Sequence, residues 1–323
     1  MDWLEKINLA PWKYRNILKE NGGPIERLSV KIPEHCQDGS ATNCDANTTK
    51  YPEDWLDANS TKYYEAYAYL KPELRPKTPI LHQIYGNPDG TGTAVQKNIA
   101  CYKAISEALE RWAFYSISCG EHAKTYGFDQ DPTTTGMAAF PGLSKGRAQT
   151  IAADEAIERW ALVSFWENKI PVLQLQENSS GIKLLTPWTQ TNTVILWEKN
   201  LDPEFYFYGF ATEKTLALAI SKARVELFRN QRALSKFFRK HKNTILQRTD
   251  EKRLIYFAQK NGHKHFLERT QIAAHIKTIP ILPQTLINTE VLGPWSQYTT
   301  VWRCLFKTQS EKYLLNETNY FLF

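Results

Sequence analysis

Two acidic clusters with the same sequence pattern are the candidate reactive residues of this 323-residue chain. Residues 106–116 read SEALERWAFYS and residues 154–164 read DEAIERWALVS, with seven of eleven positions identical. Each carries Glu-x-x-Glu-Arg, a spacing that places two carboxylates and a guanidinium on one face of a helix. Neighbouring carboxylates repel each other unless a cation lies between them, and Mg2+ prefers carboxylate, water and phosphate oxygens.

One copy alone has an ordinary structural interpretation. Glu107 and Arg111 can form an i, i+4 ion pair on an exposed helix without any ligand. A repeated packing face needs only repeated apolar residues, whereas here the acids recur too, as Glu155 and Glu158. The recurrence favours four carboxylates around a shared cavity, where a metal ion could hold ATP phosphates. A Walker A pattern does not occur in the chain.

Apolar periodicity predicts the helices that carry these clusters. Stripes with 3.6-residue spacing run through residues 96–118 and 147–167, and a third long helix is predicted to begin near residue 213. Strands mixed with these long helices indicate an α/β fold with mixed sheets and two pseudo-repeated Glu-x-x-Glu-Arg helices. We expect residues 1–80 to form a segment for partner or peptide contacts and residues 81–323 to form the main domain.

The strands are predicted from alternation and from aromatic and β-branched residues. They are expected at residues 78–86, 172–176, 191–199 and 204–212, with a terminal pair at 297–307 and 319–323. The glycine-rich residues 87–95 predict a turn.

Composition and charge limit the class of protein. Hydrophobic residues make up 42% of the chain, which excludes a disordered or fibrous protein. Neither a membrane-spanning apolar run nor a signal peptide is present, so we expect a cytoplasmic protein without membrane contacts. Residues 222–253 hold eleven Lys or Arg against three acids, which fits a solvated helix face, an anionic partner or nucleic acid. Nucleic-acid binding is the least expected of the three.

Three segments, in the same order along the chain, resemble the signatures of the YcaO family. DGTGTAVQKNIACYKAISEALERWAFY resembles the first, a G-x-G turn before a helix with E-x-x-E-R. TTTGMAAFPGLSKGRAQTIAADEAIERWALVSFW is similar to the second, an N-G-x-A loop followed by another such helix. YGFATEKTLALAISKARVELFRNQR is similar to the third, and all three lie within residues 82–235. The later TTVWRCLF resembles a V-x-R strand of the family.

The resemblance implies a YcaO-like fold in which ATP and Mg2+ lie between acidic helices. It implies that ATP phosphorylates a backbone amide oxygen of a ribosomally made peptide, so that a Cys, Ser or Thr side chain can form an azoline. It also implies a peptide substrate and a partner protein that delivers it, and it leaves a homodimer open. The implied nucleotide ligands are Glu107, Glu110, Glu155, Glu158, Arg159 and Glu226, of which the first four would hold the metal. No residue is assigned to catalysis itself.

The chain departs from the family pattern at positions close to the implied site. Lys103 stands where the family has Ser, Arg147 where it has an acid, and Arg229 where it has Gln. Thr135 replaces the Asn of the N-G-x-A loop. The three cations either replace one Mg2+ as phosphate clamps or pair with the carboxylates as internal salt bridges. The protein is accordingly expected to be an active enzyme or, alternatively, a catalytically degenerate scaffold or leader-peptide-binding subunit.

Overall fold

The computed structural model describes residues 10–31, 63–77, 82–142, 145–175, 180–187, 189–240, 244–278, 281, 283–307, 312–315 and 317–321. Helices and antiparallel sheets alternate in it, which confirms the predicted mixed α/β class. The helices are α1 (Ala10–Lys13), α2 (Lys97–Ile117), α3 (Lys145–Trp166), α4 (Leu216–Lys240), α5 (Thr249–Ala258) and α6 (Lys260–Ala274). The strands are β1 (Ile25–Lys31), β2 (Tyr64–Leu70), β3 (Gly90–Ala94), β4 (Met137–Phe140), β5 (Val172–Gln174), β6 (Ser180–Leu184), β7 (Asn192–Leu201), β8 (Glu204–Glu213), β9 (Thr285–Glu290) and β10 (Thr300–Phe306).

Three antiparallel sheets organise the described residues. Their strand orders are β1-β2-β3, β4-β10-β9 and β5-β6-β7-β8. Strands β3, β4 and β8 are therefore edge strands, and each is followed in the chain by a long helix, α2, α3 or α4. Strands on both sides of residue 80 share the first sheet. Among the described helices, none is long and apolar enough to cross a membrane.

The predicted long helices are confirmed, and small residues bring the first of them close to its sheet. Ala100, Ala104 and Ala108 of α2 are fully buried. A Cβ on Gly90 or Gly92 would collide with the backbone of α2. The glycine-rich turn predicted here is therefore wrong: residues 90–94 form β3, in which the glycines admit the helix rather than bend the chain.

Several other expectations fail because long-range packing decides local structure. Residues 82–86 form bends instead of the predicted strand, and residues 78–81 lie outside the described part of the chain. No strand is expected from the sequence at β2, β4, β6 or β9, whereas the strand expected after the turn in ENGGPIERLSVKIP is present as β1. Strand β10 pairs with β4 and β9 rather than with the chain end. Tyr320 and Phe321 lie in a buried aromatic cluster with Trp166 and Phe257, where burial outweighs their strand propensity.

Candidate functional site

The open edge of β3 receives a carboxylate from the helix that follows it. The backbone N–H of Thr91 donates a 2.9 Å hydrogen bond to Oε2 of Glu107, and the Thr91 hydroxyl donates another of 3.0 Å to the same oxygen. An edge strand has backbone groups without a strand partner, and a neighbouring acceptor satisfies them. Glu107 is thus held by β3.

Strand β8 repeats this arrangement with the other two helices. The N–H of Phe210 donates a 2.9 Å hydrogen bond to Oε2 of Glu226 on α4. A backbone hydrogen bond from Thr212, two residues further on, lowers the pKa of Glu158 on α3 against the effect of burial. Residues i and i+2 of a strand point to the same side, so both carboxylates face one edge of β8.

A glycine in a left-handed conformation holds the fourth carboxylate. Gly136 precedes β4 with φ +68°, and a backbone hydrogen bond from it lowers the pKa of Glu155 against the effect of burial. Its carbonyl accepts a 2.8 Å hydrogen bond from the N–H of Cys304 on β10, and a Cβ at this position would collide with the Cys304 carbonyl. Only glycine can adopt this positive φ and also leave room for the Cys304 carbonyl without strain.

The carboxylates from different helices lie close enough to influence one another. Burial raises the pKa of Glu110 well above its usual range, and the charge of Glu155 raises it further. Burial likewise raises the pKa of Glu158, with an added contribution from the charge of Glu226. Burial raises the pKa of Glu155 and of Glu226 to about 7 in each case. The structure thus brings the predicted acids of all three helices together.

Two arginines of the repeated motif lie beside these acids. Nη2 of Arg111 is 3.8 Å from Oε1 of Glu107, so the predicted i, i+4 pair is present in a loose form. Nη1 of Arg111 also donates a 3.0 Å hydrogen bond to the hydroxyl of Thr134. The positive charge of Arg159 lowers the pKa of Glu155, opposing the effect of burial.

A third arginine, which the site prediction missed, lies near the same acids. Arg303 of β10 is fully buried, and it donates hydrogen bonds of 3.0 Å and 2.8 Å to the carbonyls of Thr133 and Asp131. Its charge lowers the pKa of Glu110, one of its acidic neighbours. The V-x-R pattern in β10 was the signal that could have identified it.

The three unexpected cations have different surroundings. Nζ of Lys103 donates a 3.1 Å hydrogen bond to the carbonyl of Thr93 on the open edge of β3. Nη2 of Arg229 donates a 2.7 Å hydrogen bond to the hydroxyl of Thr91, and its charge lowers the pKa of Glu226. Nε of Arg147 is buried without a hydrogen-bond partner among the described residues. Within the same residues, neither arginine forms an ion pair shorter than 4.0 Å.

The basic stretch 222–253 is dispersed into separate contacts. Lys222 pairs with Glu213, Arg232 with Glu65, and Arg248 with Asp250. Arg253 is buried and donates to the carbonyl of Tyr313, among others. Many of these basic side chains therefore form ion pairs or hydrogen bonds within the protein.

The carboxylates of the candidate site fit Mg2+ only in combination with other oxygen ligands. In the described part of the chain, no three Asp, Glu, His or Cys side chains form a group that could hold a metal ion. Mg2+ in proteins is usually held by one or two carboxylates, with water and substrate phosphates completing an octahedron. The charge of Glu155 raises the pKa of Glu110 and that of Glu226 raises the pKa of Glu158, so these acids are the candidates to share a cation with phosphate oxygens. A cavity of about 550 Å³ lined by Lys183 and Lys277, among other residues, contains none of these acids.

Comparison with known proteins yields similarity at the level of structure. No model of a protein family matches the sequence, and neither does any curated protein. The chain is similar to YcaO from Methanopyrus kandleri, a structure bound with AMPPCP and Mg2+, with 13% identity and a TM-score of 0.44 over 78% of this chain and 84% of that one. It is also similar to the E. coli microcin synthetase McbBCD complex, with 12% identity and a TM-score of 0.48 over 80% of this chain and 86% of that one.

One of these two structures bears the name of the family whose signatures the sequence resembles. At these identities the likeness concerns the fold alone.

Proposed function

We propose that this protein is a YcaO-like enzyme that uses ATP and Mg2+ to activate backbone amides of a ribosomally made peptide, as in azoline formation. The observation that carries the proposal is the junction of three strand–helix units. There a strand-edge N–H holds Glu107 and Glu226, and backbone hydrogen bonds from Gly136 and Thr212 lower the pKa values of Glu155 and Glu158. Carboxylates gathered in this way, with raised pKa values, need protons or cations between them.

Each predicted ligand has a place in this proposal. Glu107, Glu110, Glu155 and Glu158 would hold Mg2+ together with the nucleotide phosphates. Bound Mg2+ would neutralise charge that develops on the transferred phosphate. The remaining nucleotide contacts are assigned to Glu226, Arg159, Lys103, Arg147 and Arg229. Arginine suits phosphate because its planar fork can donate two parallel hydrogen bonds.

Calorimetric titration of the purified chain with ATP, with and without Mg2+, tests this proposal. We expect binding that strengthens when Mg2+ is present, because the carboxylates alone repel the phosphates. Absence of ATP binding in both conditions would contradict it. A second step measures ATP turnover with a Cys- or Ser-rich peptide and its leader sequence, where turnover should rise on addition of the peptide.

A catalytically degenerate scaffold or leader-peptide-binding subunit is the second candidate. Arg229 favours it, because a cation takes the place that the second acid has in the other two helices. The aromatic and basic side chains of the first sheet, with Arg27 over the ring of Tyr69 and Lys31 over that of Tyr67, would then contact a partner or peptide. Capture of an ATP-competent partner by a chain that itself binds no nucleotide would support this candidate. Tight Mg2+-dependent ATP binding by the isolated chain would exclude it.

A further inference from the structure

Thr91 contacts two parts of the candidate site that come from distant parts of the chain. Its hydroxyl accepts a 2.7 Å hydrogen bond from Nη2 of Arg229 on α4, 138 residues away. The same hydroxyl donates a 3.0 Å hydrogen bond to Oε2 of Glu107 on α2. The backbone N–H of Thr91 donates to that oxygen as well, at 2.9 Å.

The direction of these hydrogen bonds is fixed by the chemistry of the groups. A guanidinium can only donate, an ionised carboxylate can only accept, and a hydroxyl has one proton to give. The hydroxyl of Thr91 therefore accepts from Arg229 and donates to Glu107. Both bonds involve a charged group, which makes them stronger than bonds between neutral groups.

The hydroxyl links charges that have no direct contact. Arg229 forms no ion pair shorter than 4.0 Å with a carboxylate of the described residues, although it lies near Glu226. Glu107 is about one-third exposed, so packing alone does not fix its rotamer. Without these hydrogen bonds, Arg229 and Glu107 would each sample several rotamers. Thr91 thus orients both side chains, and holding each in one rotamer costs conformational entropy.

We infer that Thr91 is a positioning residue that sets the orientation of Arg229 toward the nucleotide phosphates and of Glu107 toward Mg2+. This inference rests on the proposed function. Thr91 is the variable position between the two glycines of the first signature, and the resemblance gives it no role.

Titration of ATP into Thr91→Val and Thr91→Ser, with and without Mg2+, tests the inference. Valine has nearly the same shape and keeps the backbone N–H bond to Glu107, but it lacks the hydroxyl. We expect Thr91→Val to weaken ATP binding in Mg2+ about tenfold, the effect of losing a hydrogen bond to a charged group. Thr91→Ser should retain most of the affinity because it keeps the hydroxyl.

The Arg229→Met background separates positioning from a general effect on structure. If Thr91 acts through Arg229, Thr91→Val should cause a much smaller additional loss in that background than in the wild-type chain. Equal losses in both backgrounds would overturn the orientation of Arg229 by Thr91, and wild-type affinity of Thr91→Val would overturn the role of Thr91 altogether, while the proposed function stands in either case. Failure of the wild-type chain to bind ATP in either condition would overturn the proposed function and, with it, this role.

Discussion

The backbone N–H of Phe210 donates a 2.9 Å hydrogen bond to the carboxylate of Glu226, sixteen residues further along the chain, and Thr91 bears the same relation to Glu107. A glycine precedes each donor, and a Cβ on either glycine would collide with the following helix. The third signature is therefore a structural repeat of the first, although it lacks Glu-x-x-Glu-Arg. Arg229 occupies in it the position of Glu110.

Replacement of the first acid of either repeated motif should strongly lower ATP turnover. We expect Glu107→Gln and Glu155→Gln each to lower ATP turnover about a hundredfold, because each removes a negative ligand while leaving side-chain volume unchanged. Glu204→Gln is the matched control, since Glu204 is an exposed glutamate of β8 that pairs at 2.9 Å with Lys199. Turnover by both site variants at the level of Glu204→Gln would show that the acids do not serve the reaction.

Mg2+ alone should bind weakly or not at all. No three potential ligand side chains of the described residues form a metal-binding group, so phosphate oxygens are needed to complete the coordination. Titration of Mg2+ into the nucleotide-free chain should give no saturable heat, whereas titration in the presence of ATP should. A saturable one-to-one Mg2+ signal without ATP would mean that the carboxylates form a metal site by themselves.

The ligand-free chain should lose stability as the pH rises from about 4.5 to 7. Burial raises the pKa of Glu155 and Glu226 to about 7, so the folded chain retains protons that the unfolded chain has released. Their contribution is fully present below the unfolded pKa and is lost by about pH 7. His263 acts in the opposite direction between about pH 4 and 6.5, because burial lowers its pKa to about 4.

Urea unfolding midpoints measured between pH 5 and pH 8 test this dependence. The double variant Glu155→Gln, Glu226→Gln should show a smaller decline than the wild-type chain, since glutamine does not titrate. Identical pH profiles for the two chains would contradict the assigned cause.

Gly136 should tolerate alanine less well than a glycine of similar backbone conformation. Gly136 and Gly22 both have positive φ, +68° and +82°, but only Gly136 faces a carbonyl where a Cβ would lie. We expect Gly22→Ala to cost about 1 kcal/mol and Gly136→Ala at least about 2 kcal/mol of unfolding free energy. Equal costs in denaturant titrations would show that only the backbone conformation matters. Gly136→Ala should also weaken ATP binding, since it displaces the donor to Glu155.

The sequence could predict the helices and most members of the acidic set. Glu107, Glu110, Glu155 and Glu158 follow a local spacing, and the 3.6-residue periodicity that places them on a helix face is written within about twenty residues. Glu226 followed from the resemblance of the third signature. The mixed α/β class also followed from the alternation of strands and long helices.

Other features depend on contacts between distant residues and were out of reach of local patterns. From the sequence, Gly90 and Gly92 look like turn residues. In the fold they belong to strand β3, and helix α2 packs against them. The buried position of Arg303 is decided by carbonyls about 170 residues away.

Helical periodicity is a local property of the chain, so it already shows which acidic side chains share a helix face. The backbone partners of those acids, and the link from Glu107 through Thr91 to Arg229, are visible only in the folded chain. A strand-edge donor acquires its partner only when sheets and helices have packed together. The pairing is therefore a property of the assembled fold and not of any one segment.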